Sequence, residues 1–199
     1  AFKAADKPFL IIFNDKEEAA YHLNDLEQLV GEKEVLFYPG SYRRPYQLDE
    51  TDNANVLLRA EVLNRINSQK KPAIIVTYPD ALFEQVVTRK ELERNTLKVS
   101  VNDKLSIDFV NEILFEYQTQ LSVEQIKKIN IIPNVANKLL QESRQSFLKY
   151  IAQKTIICLK KADLLFSRID DFYEKAEGAF KTLSKDIKHA EPQELFCNS

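Results

Sequence analysis

The chain has 199 residues, a net charge of -2 and a sequence pI near 5.9, which exclude a strongly basic surface for nonspecific nucleic-acid binding. That length allows one large domain or two small ones, with enough apolar content for a core. No apolar run reaches the length of a membrane span and no leader pattern is visible; Cys158 and Cys197, lacking metal-ligand spacing, predict a reducing, cytoplasmic setting.

The absence of Met and the start at Ala1 predict an excised fragment. The three glycines, Gly31, Gly40 and Gly178, matter more. A phosphate-cradling loop needs several glycines between a strand and a helix so that backbone N–H groups reach the anion. None of the three has that setting, so no P-loop or dinucleotide fingerprint is present.

In chain order, Phe9 to Phe13 predicts a first strand. Asn14 and Glu17 read as a capping box for a helix with Ala19, Leu23, Leu26 and Val30 on one face, stopped by Gly31. Val35 to Tyr38 follows as a strand, and Pro39 to Gln47 (PGSYRRPYQ) as a loop. Val56, Leu57, Ala60, Leu63 and Ile66 mark the next helix. The central stretch is KPAIIVTYPDALFEQVV, Lys71 to Val87. Ala73 to Tyr78 reads as a strand buried on both faces, Pro79 opens a helix, and Leu82, Phe83 and Val86 fold back onto the strand.

Leu97, Val99 and Val101 alternate with polar residues as in a half-exposed strand. Ser106 caps a predicted helix carrying Ile107, Val110, Ile113, Leu114 and Tyr117. Ile126 to Ile132 predicts a strand, Asn137 a helix start with Leu140, Phe147 and Ile151, and Thr155 to Leu159 the last strand. From Asp163 a long helix shows Leu165, Ile169, Phe172, Ala176, Phe180 and Leu183 as one stripe. This alternation predicts a three-layer α/β fold, a mostly parallel sheet with helices on both faces, and no linker composition divides it.

Tyr42, Arg43, Arg44 and Tyr46 form the most suggestive surface cluster, since paired arginines beside aromatics can hold phosphate and stack on a base or a partner's side chain. The plainer reading, which we favour, packs the tyrosines on the domain and pairs the arginines with Asp49 or Glu50. His22 and His189 read as surface histidines, Asp15 as helix-start charge rather than a metal or phosphate site, and Asp170 and Asp171 as solvated. The run from Lys181 to Lys188 is a mixed-charge stretch. No catalytic, cofactor or metal residues are predicted.

The succession FLIIFNDKEEAAYHLNDLEQLVGEKEVLFYPGSYRRPYQ, AIIVTYPDALFEQVV, LKVSVNDKLSIDFVNEILFEYQ and TQLSVEQIKKINIIPN resembles the N-terminal, UvrB-like part of the transcription-repair coupling factor family, Mfd. The resemblance covers nearly the whole chain and lies in the order and spacing of these segments, with no single decisive motif. It implies a degenerate RecA-like, P-loop NTPase-type fold without a P-loop, formed by one domain, 1–199, in two sequence halves, 1–118 and 119–199. It implies a non-catalytic module that serves UvrA recruitment and autoinhibition in transcription-coupled nucleotide excision repair, packing against C-terminal parts of the parent chain. The parent is an ATP-dependent DNA translocase with helicase-like character. Its motor, which uses ATP and Mg, lies elsewhere, as do its contacts with RNA polymerase and DNA.

Two departures from the family pattern stand out. The chain starts after the strand, degenerate nucleotide loop and helix that come first in the family. Between Gln118 and Thr119 the family inserts a small β-rich subdomain, its UvrA-docking part, and here the two segments adjoin. The alternative function is weak nucleic-acid binding through Tyr42, Arg43, Arg44 and Tyr46.

Overall fold

The computed structural model describes residues 2–42, 52–68, 71–95, 97–100, 128–131, 143–182 and 190–199, and of Asn53, Asn95, 97–100 and 128–131 the backbone only. The chain divides into two compact units, residues 1–91 with 134–199, and residues 92–133. The sequence halves meeting at Gln118 and Thr119 join outside the described residues, as do Ser106, Tyr117, Asn137 and Leu140.

In the larger unit, helix α1 (Phe2–Ala5) precedes β1 (Phe9–Ile12), α2 (Lys16–Val30), a 3-10 turn at Glu32–Glu34 and β2 (Val35–Phe37). Then come α3 (Asn53–Asn67), β3 (Ile74–Thr77), α4 (Pro79–Phe83), β4 (Val86–Val87) and α5 (Arg89–Asn95), whose residues from Leu92 onward are counted with the smaller unit. The smaller unit contains β5 (Leu97–Ser100) and β6 (Lys128–Ile131), an antiparallel pair in which Leu97 faces Ile131 and Ser100 faces Lys128. The larger unit resumes with β7 (Arg144–Gln145), α6 (Phe147–Tyr150), β8 (Ile156–Leu159), α7 (Ala162–Thr182) and α8 (Pro192–Leu195).

Four parallel strands form the main sheet in the order β2-β3-β1-β8, with Leu10 beside Ile75 and Ile157, and Val76 beside Phe37. The fold is therefore α/β, a parallel sheet with helices around it. Every residue of β3 is buried, which explains its unbroken β-branched run. Leu10, Ala19, Val76 and Ala81 are sealed from solvent, and each large apolar side chain so buried stabilises the fold by about 1.5–3 kcal/mol. The α7 stripe is confirmed at Leu165, Ile169 and Ala176, and Phe172 meets Phe83 of α4 at 5.8 Å between ring centroids.

Four local expectations need correction. The α2 cap is one residue later than Asn14 and Glu17: Asp15 accepts from the Glu18 N–H, while the Glu18 carboxylate accepts from the Asn14 N–H. Helix α4 stops at Phe83, and Val86 belongs to β4, because Glu84 turns extended to meet partners elsewhere in the fold. The buried face of α3 is Arg59, Val62 and Leu63; of the expected stripe Leu63 is buried and Val56, Ala60 and Ile66 are half-buried, but Leu57 is 60% exposed. Finally, residues 144–145 pair with β4 instead of continuing a helix toward Phe147, which starts a new short helix capped by Ser146.

Candidate functional site

In an open α/β sheet, ligands bind beyond the carboxyl ends of the strands. In this chain that edge carries two clusters, one after β2 and β3, the other after β1 and β8.

After β2 the chain runs through Tyr38, Pro39, Gly40, Ser41 and Tyr42, and this segment wraps around Glu84. The Glu84 carboxylate accepts from the Ser41 N–H at 2.7 and 3.0 Å, the Ser41 hydroxyl at 2.5 Å and the Tyr42 N–H at 3.3 Å. Its Oε2 also lies 3.3 Å from Arg59 Nη1, which donates to the Pro39 and Ala81 carbonyls. The Arg59 guanidinium sits 4.3 Å from the centre of the Tyr38 ring, whose other stacking partner is Phe147 at 4.0 Å. Burial alone pulls the Arg59 pKa down; the Glu84 carboxylate reverses this, and the pKa ends above its ordinary value.

Three further bonds close the segment. The Gly40 N–H donates to the Tyr78 hydroxyl at 3.0 Å, Asn55 Nδ2 to the Gly40 carbonyl at 2.9 Å, and the Asp52 N–H to the Ser41 carbonyl at 2.8 Å. A Cβ on Gly40 would stand 3.1 Å from Glu84 Oε1, so glycine here leaves room for the carboxylate rather than for a phosphate.

Tyr42 is half-buried against Phe196, 5.8 Å between ring centroids, and burial followed by the Glu84 charge raises its phenol pKa to about 12. Tyr42 therefore packs on the domain, as the plainer sequence reading has it. Arg43, Arg44 and Tyr46 lie outside the described residues. Sequence reasoning missed Arg59 and Glu84, which organise this end of the sheet. The available signal was a charged residue at a helix position three and four residues before the buried Val62 and Leu63.

The second cluster surrounds the start of α2. Asp15 spends Oδ1 on the Glu18 N–H, the helix-start role read from the sequence. Glu18 Oε1 accepts from Lys160 Nζ at 2.7 Å, and this bond holds its carboxyl below the usual range. Arg168 Nη1 donates to the Asn14 carbonyl at 2.5 Å. The hollow between the ends of β1 and β8 is only about 10 Å³. Asp80, in the first turn of α4, has its carboxyl pKa raised by burial.

The other singled-out residues do not converge. The His22 ring stacks on Phe13 at 4.8 Å, with Nδ1 3.6 Å from Asp25. Asp170 is not simply solvated, since it accepts from the Ser199 N–H and hydroxyl. His189 and the run from 183 to 188 lie outside the described residues. Cys158 and Cys197 are free thiols. Among the described residues no group of three or more His, Cys, Asp or Glu side chains is placed to hold a metal ion, and no helix is long and apolar enough to cross a membrane.

No protein-family model matches this chain, and no curated protein matches it either.

Proposed function

We propose that this chain is a catalytically silent, RecA-like module of the transcription-repair coupling factor family, corresponding to its N-terminal UvrB-like part. The observation that carries the reading is the occupation of the strand carboxyl ends by the chain's own side chains. A nucleotide's phosphates would need the amino end of α2, where Asp15, Glu17 and Glu18 place carboxylates. Lys160 is already bound to Glu18, and Arg168 to the Asn14 carbonyl. A phosphate there would meet the repulsion of these carboxylates.

The parallel sheet and the ordered succession of resembling segments support the family assignment. In the parent protein the module serves UvrA recruitment and autoinhibition, the first through the β-rich subdomain expected between Gln118 and Thr119, the second through packing on C-terminal parts. Nucleic-acid binding through the Tyr42–Tyr46 segment is the weaker reading, because Tyr42 is engaged with Phe196 and Glu84.

Titration calorimetry with Mg·ATP, and co-purification with UvrA or with the C-terminal parts of the family protein, test the proposal. The expected result is no heat with Mg·ATP, retention of the C-terminal parts, and no UvrA retained by a chain whose intact mass is 23.1 kDa. Saturable ATP binding, or failure to retain the C-terminal parts, overturns it.

A further inference from the structure

A cavity of about 500 Å³ lies at the opposite end of the main sheet, at the amino ends of β1, β3 and β8. That volume is within the roughly 300–1,000 Å³ range of small-molecule sites. Its walls include Leu36, Ile75 and Ile151, and its lining carries Arg65, Lys71, Arg89 and Lys154 with no carboxylate. Such a wall fits an apolar body, and such a rim fits negative charge.

The four cations are differently engaged. The Arg89 guanidinium is fixed by the Tyr150 carbonyl and lies 5.0 Å from the Tyr150 ring centre, so it is held in place. Arg65 donates from Nη2 to the Lys33 carbonyl at 3.4 Å, while its Nε is buried without an acceptor. Lys71 also borders a smaller hollow of about 250 Å³ containing Asp6 and Glu34, so part of its charge is offset on that side. Lys154 is exposed, and among the described residues no ion pair engages it.

We propose that this cavity binds a small amphipathic anion, an apolar body ending in one carboxylate or sulfonate, with Arg65 and Lys154 receiving the charge. A bare inorganic anion leaves the apolar wall in contact with water, and a neutral hydrocarbon leaves the charges of Arg65 and Lys154 without a counter-charge. The inference is independent of the family reading, since it uses the edge of the sheet away from the strand carboxyl ends.

The test uses the 199-residue chain and 8-anilinonaphthalene-1-sulfonate, an apolar ring system with one anionic group. Its fluorescence is followed on titration, then in competition with octanoate and with the uncharged 1-octanol. The expected result is saturable binding at one site, displaced by octanoate and not by the same concentration of 1-octanol. Combined Arg65→Gln and Lys154→Glu weakens binding about five-fold, as two partly exposed charges would. Ala152→Phe, which adds a ring at the cavity lining, abolishes it while the far-ultraviolet circular dichroism stays unchanged. If Ala152→Phe does not fold, the charge variant decides alone. Absence of saturable binding, equal displacement by 1-octanol, or unchanged affinity in the charge variant overturns the proposal.

Discussion

Arg59 Nη1 and Glu84 Oε2 meet 3.3 Å apart with both side chains less than a tenth exposed. The pair links α3 to the turn after α4, and through Ser41 and Tyr42 it holds the segment that follows β2. Its geometry is asymmetric. Glu84 collects three donors besides Arg59, whereas Arg59 has two carbonyls and the Tyr38 ring. A buried pair gains little over an apolar replacement, yet losing one member leaves an uncompensated charge inside.

Glu84→Ala is therefore expected to destabilise the chain by about 3–5 kcal/mol, since it strands the Arg59 charge and the donors of Ser41 and Tyr42 together. Arg59→Met costs less, because Glu84 keeps the Ser41 and Tyr42 donors. Urea unfolding of both variants at neutral pH checks the order, and an Arg59→Met variant equal to or weaker than Glu84→Ala contradicts it.

The same cluster sets a pH response. Burial raises the Tyr42 and Tyr78 phenols to about 12 and Tyr38 further still, against an ordinary value of 10.0. The folded state thus keeps these protons at pH values where the unfolded chain has released them, and stability must fall as pH rises from about 10 to about 12. Each such tyrosine contributes up to about 1.4 kcal/mol per pH unit in that window. Tyr42→Phe removes one contribution and is expected to flatten the decline. Denaturant midpoints at neutral pH, about pH 10 and about pH 11.5 measure it, and a slope identical to the parent's sinks the assignment.

Much of this fold was readable from residue patterns. The β-branched run of β3, the stop at Gly31 and the α7 stripe are local features, decided by residues within one element. What sequence could not show depends on distant partners. Helix α4 ends at Phe83 because Glu84 is drawn to Ser41, Tyr42 and Arg59, and the following Gln85 N–H goes to the Leu195 carbonyl. Arg59 sits in the inward stripe of α3, where periodicity rules look for apolar residues. Of the Tyr42–Tyr46 cluster, Tyr42 packs on Phe196, a contact between residues far apart in the chain. The cavity lining likewise comes from residues 8, 36, 65–75, 89 and 151–155, and no sequence window contains them together.

Glycine chemistry gives a paired prediction. Gly31 has φ 107°, a conformation that L side chains avoid, and Gly178 lies within the regular helix α7; an added Cβ meets nothing within 4 Å at either position. Space is thus not the difference, and backbone conformation is. Gly31→Ala should cost at least ~1 kcal/mol, whereas Gly178→Ala should gain about 0.5–1 kcal/mol. Thermal melts of the two single variants are expected to move in opposite directions, and a shift in the same direction would falsify the conformational account.

The C-terminal segment closes the larger unit, and its removal should show how much stability it supplies. Phe196 stacks on Phe83 at 4.3 Å with the rings 5° apart, and it is 2% exposed. On either side the Gln85 N–H donates to the Leu195 carbonyl and the Cys197 N–H to the Phe83 carbonyl, so residues 195–197 pair with 83–85 as a short extended strip. Phe196→Ala removes the ring and keeps the backbone bonds, and a cavity of that kind costs about 3–5 kcal/mol. Phe196→Leu retains most of the buried volume and should cost less. Truncation after Ala190 removes both the ring and the strip, exposing Phe83 and the unpaired Gln85 N–H, and is expected to be the most damaging of the three. Urea unfolding ranks them, and a truncated chain as stable as Phe196→Leu would mean that the segment rests on the unit without supporting it.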